Sequence, residues 1–371
     1  MNCTKIIFRN YVFLFFVTFI SVGFAQDSVL QRKIGIKLIG HYGMVTPHHR
    51  SISYFVEDKI KGIDVALLFH NQGDKMWAKV YNNPLWGVGF YHSNLGNSRV
   101  FGNISSIYPF FELPVYKNKI CQSSFFLGGS ISYISLPLSF PQNIENVAIS
   151  SHFNLFFSSG INSAFMLNSR FKLHLDLRVL HFSNGNSHRP NLGINLVTFS
   201  VGTSYNFGSL KKVANTIKLE EWKDTKRKYY LTAAYGQKRI SPGNVSPYKT
   251  ASLSLNSEKQ KSYKYSRGFG MDMFYDQSFK FLQLEEKDSV FRFIDNFSLG
   301  VHFHQELIVG NLSIFGQGGV YIFTGFDESI ARIYERLGMR CKLNENFYLW
   351  VAVKAHMAKA DFVEWGLGVK L

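Results

Sequence analysis

At 371 residues, 46% hydrophobic and only 18% charged, with a mean hydropathy of −0.04, the chain is too apolar for a disordered protein and too polar for a bundle of membrane helices. Its 36 Phe, 19 Tyr and 30 Gly, set against 9 Pro, favour many twisted strands over helices. A formal charge of +16 points to an anionic partner: nucleic acid, an anionic membrane surface or a phosphorylated glycolipid.

Lys5 and Arg9 precede an apolar run over 11–20 and the small-residue site Gly23-Phe24-Ala25, which reads as a secretory signal peptide over residues 1–25. That run is too short for a stable span, and no later stretch approaches the ~18 consecutive apolar residues a membrane helix requires. Export argues against nucleic acid, and the chain carries no RNA- or DNA-binding signature. Cys3 leaves with the signal, so Cys121 and Cys341 can form one disulfide at most, which excludes a disulfide scaffold or metal framework. The remainder divides into a β-barrel region over 26–209, a basic linker over 210–228 and a C-terminal β-strand region over 229–371.

In the first region, His48-His49-Arg50 after Pro47 reads as a solvated turn near a barrel rim, with a phosphate or metal site as the other reading. His92-Ser93-Asn94 sets a His beside a Ser, but adjacent strand residues point to opposite faces and cannot form a dyad. In Phe171-Lys172-Leu173-His174-Leu175-Asp176-Leu177-Arg178-Val179 every odd position is apolar and every even one is charged or His. This fits a barrel wall with lipid outside and a polar lumen, in which Asp176 and Arg178 would join an internal ionic network.

The outward parity continues into His181 and Ser183. Period two puts them on one face about 6–7 Å apart along the backbone, near enough for the side chains to lean together, and such a pair is a candidate base and nucleophile. The next strand has Val197, Phe199 and Val201 facing lipid, and Asn195 shares their face, where it can fix the tautomer of His181. Asn184, Asn191 and nearby backbone N–H groups are candidate donors to an oxyanion. The plainer reading of His181 and Ser183 is a polar end to the apolar band at the membrane interface.

The linker carries seven Lys/Arg and three acidic residues around Trp222 without a strand period, as in a solvated turn or short helix. Beyond it, Lys259, Lys261, Lys264 and Arg267 form a basic cluster suited to water or lipid phosphates. Phe347, Leu349, Val351, Val353 and Ala355 share one parity, as do Val363, Trp365, Leu367, Val369 and Leu371, the pattern of a closing barrel strand. About sixteen strands fit the whole chain at the spacing of an antiparallel meander. The expected fold class is therefore all-β, an antiparallel transmembrane β-barrel in preference to a soluble sandwich. An eight-stranded barrel needs only ~150–180 residues, so the first half can close alone. Whether the second half makes a second barrel or shares one wider wall stays open.

The run His181-Phe182-Ser183-Asn184, followed by Pro190-Asn191 and Gly193, resembles the motif of the PagL-type lipid A 3-O-deacylases and of the longer exported proteins known as acyloxyacyl hydrolases. The resemblance covers roughly residues 34–207, and Ala358-Lys359-Ala360-Asp361-Phe362-Val363-Glu364-Trp365-Gly366 is similar to the C-terminal part of the longer members. It implies an eight-stranded outer-membrane barrel with a Ser-His-acid triad on its lipid-facing wall. Carried over, Ser183 is the nucleophile and His181 the base, with Asn184 and Asn191 beside them. Asn195 falls where the family's prototype has a glutamate; an asparagine can orient an imidazole but cannot stabilise the imidazolium by charge. The implied function is an outer-membrane esterase that removes an ester-linked acyl chain from lipid A, with lipid A or lipopolysaccharide as its partner and no metal or organic cofactor. Two alternatives stand beside it: a non-catalytic barrel (porin, glycolipid-binding or assembly protein), favoured by the missing glutamate, and a phospholipase-like esterase using the same residues.

Overall fold

The computed structural model describes residues 33–70, 76–207, 222, 226–241, 246–286, 291–325, 332–357 and 359–371. The signal peptide expected over 1–25 and most of the linker expected over 210–228 lie outside the described residues. Eight strands make up the first half: β1 (Lys33–Val45), β2 (Ile60–His70), β3 (Leu85–Asn94), β4 (Asn103–Lys117), β5 (Cys121–Ile134), β6 (Phe153–Met166), β7 (Phe171–Ser183) and β8 (Ile194–Asn206). Eight more make up the second: β9 (Arg227–Lys238), β10 (Tyr248–Gln260), β11 (Tyr265–Asp276), β12 (Phe297–Val309), β13 (Leu312–Thr324), β14 (Ile333–Lys342), β15 (Phe347–His356) and β16 (Lys359–Lys370).

Each set closes on itself as an antiparallel meander, with β1 paired to β8 in one barrel and β9 paired to β16 in the other. The choice that the sequence leaves open is thus resolved as two small barrels. Closure satisfies every strand edge, the condition for crossing a hydrocarbon layer with strands. No helix of the described residues is long and apolar enough to cross a membrane. Cys121 and Cys341 lie one in each barrel and are not bonded to each other.

Alternation sorts the side chains. On β7 the outward Leu177 and Val179 are exposed, whereas the inward His174, Asp176, Arg178, Leu180 and Phe182 are buried. The outer wall continues through Leu38, Leu67, Phe157, Phe199 and Val201, an apolar surface whose natural solvent is lipid. Inside the first barrel, Arg178 donates to Asp176 at 2.5 Å and to Asp64 at 2.9 Å, with its guanidinium 3.8 Å from the centre of the Phe126 ring. The Tyr108 hydroxyl also donates to Asp64, Lys37 pairs with Glu112, and His174 sits between Asn162 and Ser204. These ions survive burial because each is matched by an opposite charge and by hydrogen bonds. The second lumen is filled in the same way: Arg336 reaches Asp272 at 2.9 Å and Glu364 at 2.8 Å, Arg340 lies between Glu258 and Glu306, and Lys238 and Lys354 share Asp361.

In the first barrel the connections 46–59, 95–102, 135–152 and 184–193 gather at one rim, while 118–120 and 167–170 are tight turns at the other. Under the long connections lies an apolar plug of Ile52, Ile60, Leu95, Phe101, Ile104, Phe156, Leu180, Phe182, Ile194 and Leu196. It closes that end of the lumen and braces the upper half of β7.

Two outcomes test this architecture. In SDS the unheated mature protein should migrate apart from the boiled one, because closed ladders resist the detergent until heated; a single band at every temperature would contradict it. Arg178→Ala strips the shared cation from Asp64 and Asp176 and should cost about 3–5 kcal/mol in urea unfolding from micelles, as uncompensated buried charges do.

Candidate active site

Phe182 decides which way its neighbours face. Its ring is fully buried, stacked on Phe156 with centroids 5.2 Å apart and planes 10° apart. Because strand residues alternate, seating Phe182 in the plug turns His181 and Ser183 outward, onto the same wall as Leu177 and Val179. His181 stands opposite Phe157 of β6 and Asn195 of β8, and Ser183 stands opposite Leu155. Both are half-buried, at the long-connection rim. His92 and Ser93 on β3 show the contrast: Ser93 is buried in the lumen, while His92 bonds Ser105 at 2.9 Å.

The cross-strand pairing brings His181 and Asn195 into contact, with Nδ1 2.6 Å from Oδ1. An amide oxygen only accepts, so His181 carries its proton on Nδ1 and leaves Nε2 as an acceptor. That is the tautomer a general base needs. The Asn195 amide nitrogen donates in turn to His48 Nδ1 at 3.0 Å, and the Asn195 carbonyl accepts from the Thr46 N–H at 2.8 Å. Among the described residues the Ser183 hydroxyl makes no hydrogen bond, to His181 or to any other group. Catalytic hydrogen bonds commonly tighten only around bound substrate.

The turn after β7 is built around the other two asparagines. The Asn184 backbone N–H donates to Asn191 Oδ1 at 2.9 Å, and Asn184 Oδ1 accepts from the His188 N–H at 3.4 Å. Asn191 therefore braces the turn through its carbonyl oxygen. Asn184 Nδ2 is buried without a partner, a deficit worth about 1–3 kcal/mol. The start of β8 is tied to the β5–β6 connection, where the N–H groups of Leu192 and Gly193 both donate to the Ala148 carbonyl. Gly193 has a φ of +75°, and a Cβ there would lie 3.0 Å from His181 Cε1. Only glycine suits both the left-handed backbone and the close imidazole.

The segment His48-His49-Arg50 is exposed at the rim, as a solvated turn would be, and it carries contacts that the sequence does not show: His48 contacts Asn195, and His49 caps the helical turn Arg50–Ser53. Sequence parity cannot find His48, because it lies outside any strand and 147 residues from its partner.

Residues 61–204 match the family model described as lipid A 3-O-deacylase (PagL). Residues 227–371 match the model described as acyloxyacyl hydrolase, C-terminal domain. No curated protein sequence matches the chain. Among solved structures, the crystal structure of the outer membrane enzyme PagL is 16% identical at a TM-score of 0.30, covering 45% of this chain and 97% of that one. A triple-mutant porin of Rhodopseudomonas blastica is 11% identical at a TM-score of 0.20, covering 91% of this chain and 100% of that one. One family model thus lies on each barrel: residues 61–204 belong to the lipid A 3-O-deacylase (PagL) domain family and residues 227–371 to the acyloxyacyl hydrolase C-terminal domain family.

Proposed function

We propose that the protein is an outer-membrane esterase that removes an ester-linked acyl chain from lipid A, with Ser183 as nucleophile and His181 as base. The observation that carries this reading is the 2.6 Å contact between His181 and Asn195, on a wall where Phe157, Leu177, Val179, Phe199 and Val201 also face outward. An ester in the bilayer meets that wall edge-on. Its acyl chain can lie against Phe157, Leu177 and Val179 while its head group stays at the rim, so no deep pocket is required.

His181 Nε2 takes the proton from Ser183 as the hydroxyl oxygen attacks the ester carbonyl carbon. The tetrahedral oxyanion is met by donors near the turn, of which Asn184 Nδ2 is the unpartnered one. Collapse expels the sugar alcohol, which leaves with the proton held on His181. Water, activated by the same imidazole, then splits the acyl-serine and releases the fatty acid. Asn195 holds the ring throughout but adds no charge, so the reaction runs without the electrostatic help a carboxylate would give. The chain's net charge of +16 suits a phosphorylated glycolipid.

A channel function has less support. Among the described residues both lumens are occupied by paired ions and large side chains, including Arg178, Tyr108 and Phe126 in the first and Arg336, Tyr334 and Trp350 in the second. Eight strands leave an interior only wide enough for such filling.

Mass spectrometry of lipid A from cells with and without the protein tests the reading directly: loss of one acyl chain is the expected result, and an unchanged profile would overturn it. Ser183→Ala should lower acyl release at least about a thousandfold with the heat-modifiable barrel intact, and His181→Ala nearly as much, because the two act as a unit. Asn195→Glu should raise kcat about tenfold or more by placing a charge beside the imidazolium, whereas Asn195→Ala should lower it. Equal rates for native protein and Asn195→Ala would remove Asn195 from the site.

A further inference from the structure

The chain holds His48 against the site from both sides. Thr46 prolongs the β1–β8 ladder through its bond to the Asn195 carbonyl, and Ile52 is buried in the apolar plug. Between them His49 turns to Ser51, its Nδ1 2.6 Å from the hydroxyl. His48 is left facing β8, with Nδ1 3.0 Å from Asn195 Nδ2 and its outer side exposed at the rim.

An asparagine at position 195 raises a problem that a glutamate does not, because its two ends differ chemically. With Oδ1 toward His181, Nδ1 of the ring keeps the proton and Nε2 can accept one from Ser183. With the amide turned over, Nδ2 would face His181, Nδ1 would have to accept, and the ring proton would move to Nε2. The base would then be blocked. What the far end of the amide meets decides between these states. An imidazole nitrogen that accepts fits Nδ2 and repels Oδ1.

We propose that His48 is a positioning residue for the Ser183–His181 pair: its Nδ1 accepts from the Asn195 amide nitrogen, pins the amide oxygen on His181 and keeps the base in its reactive tautomer. Hydrogen bonds in series polarise one another, so the donation to His48 also makes Asn195 Oδ1 a stronger acceptor. That offsets part of the charge the asparagine lacks. The kinetic consequence rests on the esterase reading above; the tautomeric one does not.

Both consequences are measurable on the purified full-length protein in micelles. In ¹⁵N-histidine-labelled protein, the imidazole shifts of His181 should report a proton on Nδ1 in the native chain and a shift of population toward Nε2 in His48→Ala. In lipid A-containing micelles, His48→Ala should lower kcat about tenfold with KM unchanged, equivalent to about 1.4 kcal/mol of transition-state stabilisation. His48→Asn puts a carbonyl oxygen near the place of Nδ1 and should restore most of that loss. In the Asn195→Glu background, where the side chain has no wrong end, His48→Ala should change kcat less than about twofold. An unshifted His181 tautomer in His48→Ala overturns the proposal whether or not the native protein is an esterase. The proposal fails equally if His48→Ala costs as much beside Glu at position 195 as beside Asn. A native protein without acyl release defeats the esterase reading, and the tautomer measurement then decides the role of His48 by itself.

Discussion

A strand that crosses hydrocarbon must find a partner for every backbone N–H and C=O, and the only arrangement of strands that does so is a ladder that returns to its start. Each half of this chain obeys that constraint separately, β1 returning to β8 and β9 to β16. Much else about the candidate site follows from it. Once the ladder is closed, register fixes which residues face each other, and alternation fixes which face lipid. His181 meets Asn195 because β7 and β8 are paired in one register; a slip of one residue would turn every outward side chain of β8 into the lumen.

The interior supports this geometry in two layers. Toward the tight-turn end, charges neutralise one another around Arg178; toward the long connections, the apolar plug around Phe182 and Phe156 takes over. The side chains proposed to react therefore stand on a strand whose neighbouring inward residues are firmly packed, Leu180 and Phe182 being buried almost completely. Positional precision of this kind is what lets a simple Ser-His pair act, since a misplaced base loses most of its effect. Gly193 is the complement at the entry to β8, leaving open the space the imidazole needs.

What the sequence reveals and what it conceals divides along the range of the forces involved. Period two is a local property, so the strand from Phe171 to Ser183, the lumenal placement of Asp176 and Arg178 and the shared face of His181, Ser183 and Asn195 are all readable from the residues themselves. The count of barrels is not, because the alternation of β8 and β9 would be the same whether they paired with each other or each returned to its own first strand. His48 is hidden for a related reason. It follows a proline outside the last alternating residue of β1, and its place is set by the pairing of Thr46 with a residue 149 positions away. The role of Asn191 is visible only as a residue type: as a brace it presents its carbonyl oxygen to Asn184, an orientation that depends on the folded turn.

Because His181, Ser183 and Asn195 are all carried on strands, the distances among them do not depend on the connections that crown the barrel. The parts of those connections that neither enter the plug nor border the site are free to drift in sequence without disturbing the pair. Anchored points interrupt them: the segment from Thr46 to Ile52, bonded to Asn195 at one end and buried in the plug at the other, Leu95 and Phe101 in the plug, and Asn184, Asn191 and Gly193 around the turn after β7. Variation among natural relatives should therefore be uneven around the rim, concentrated between these anchored points.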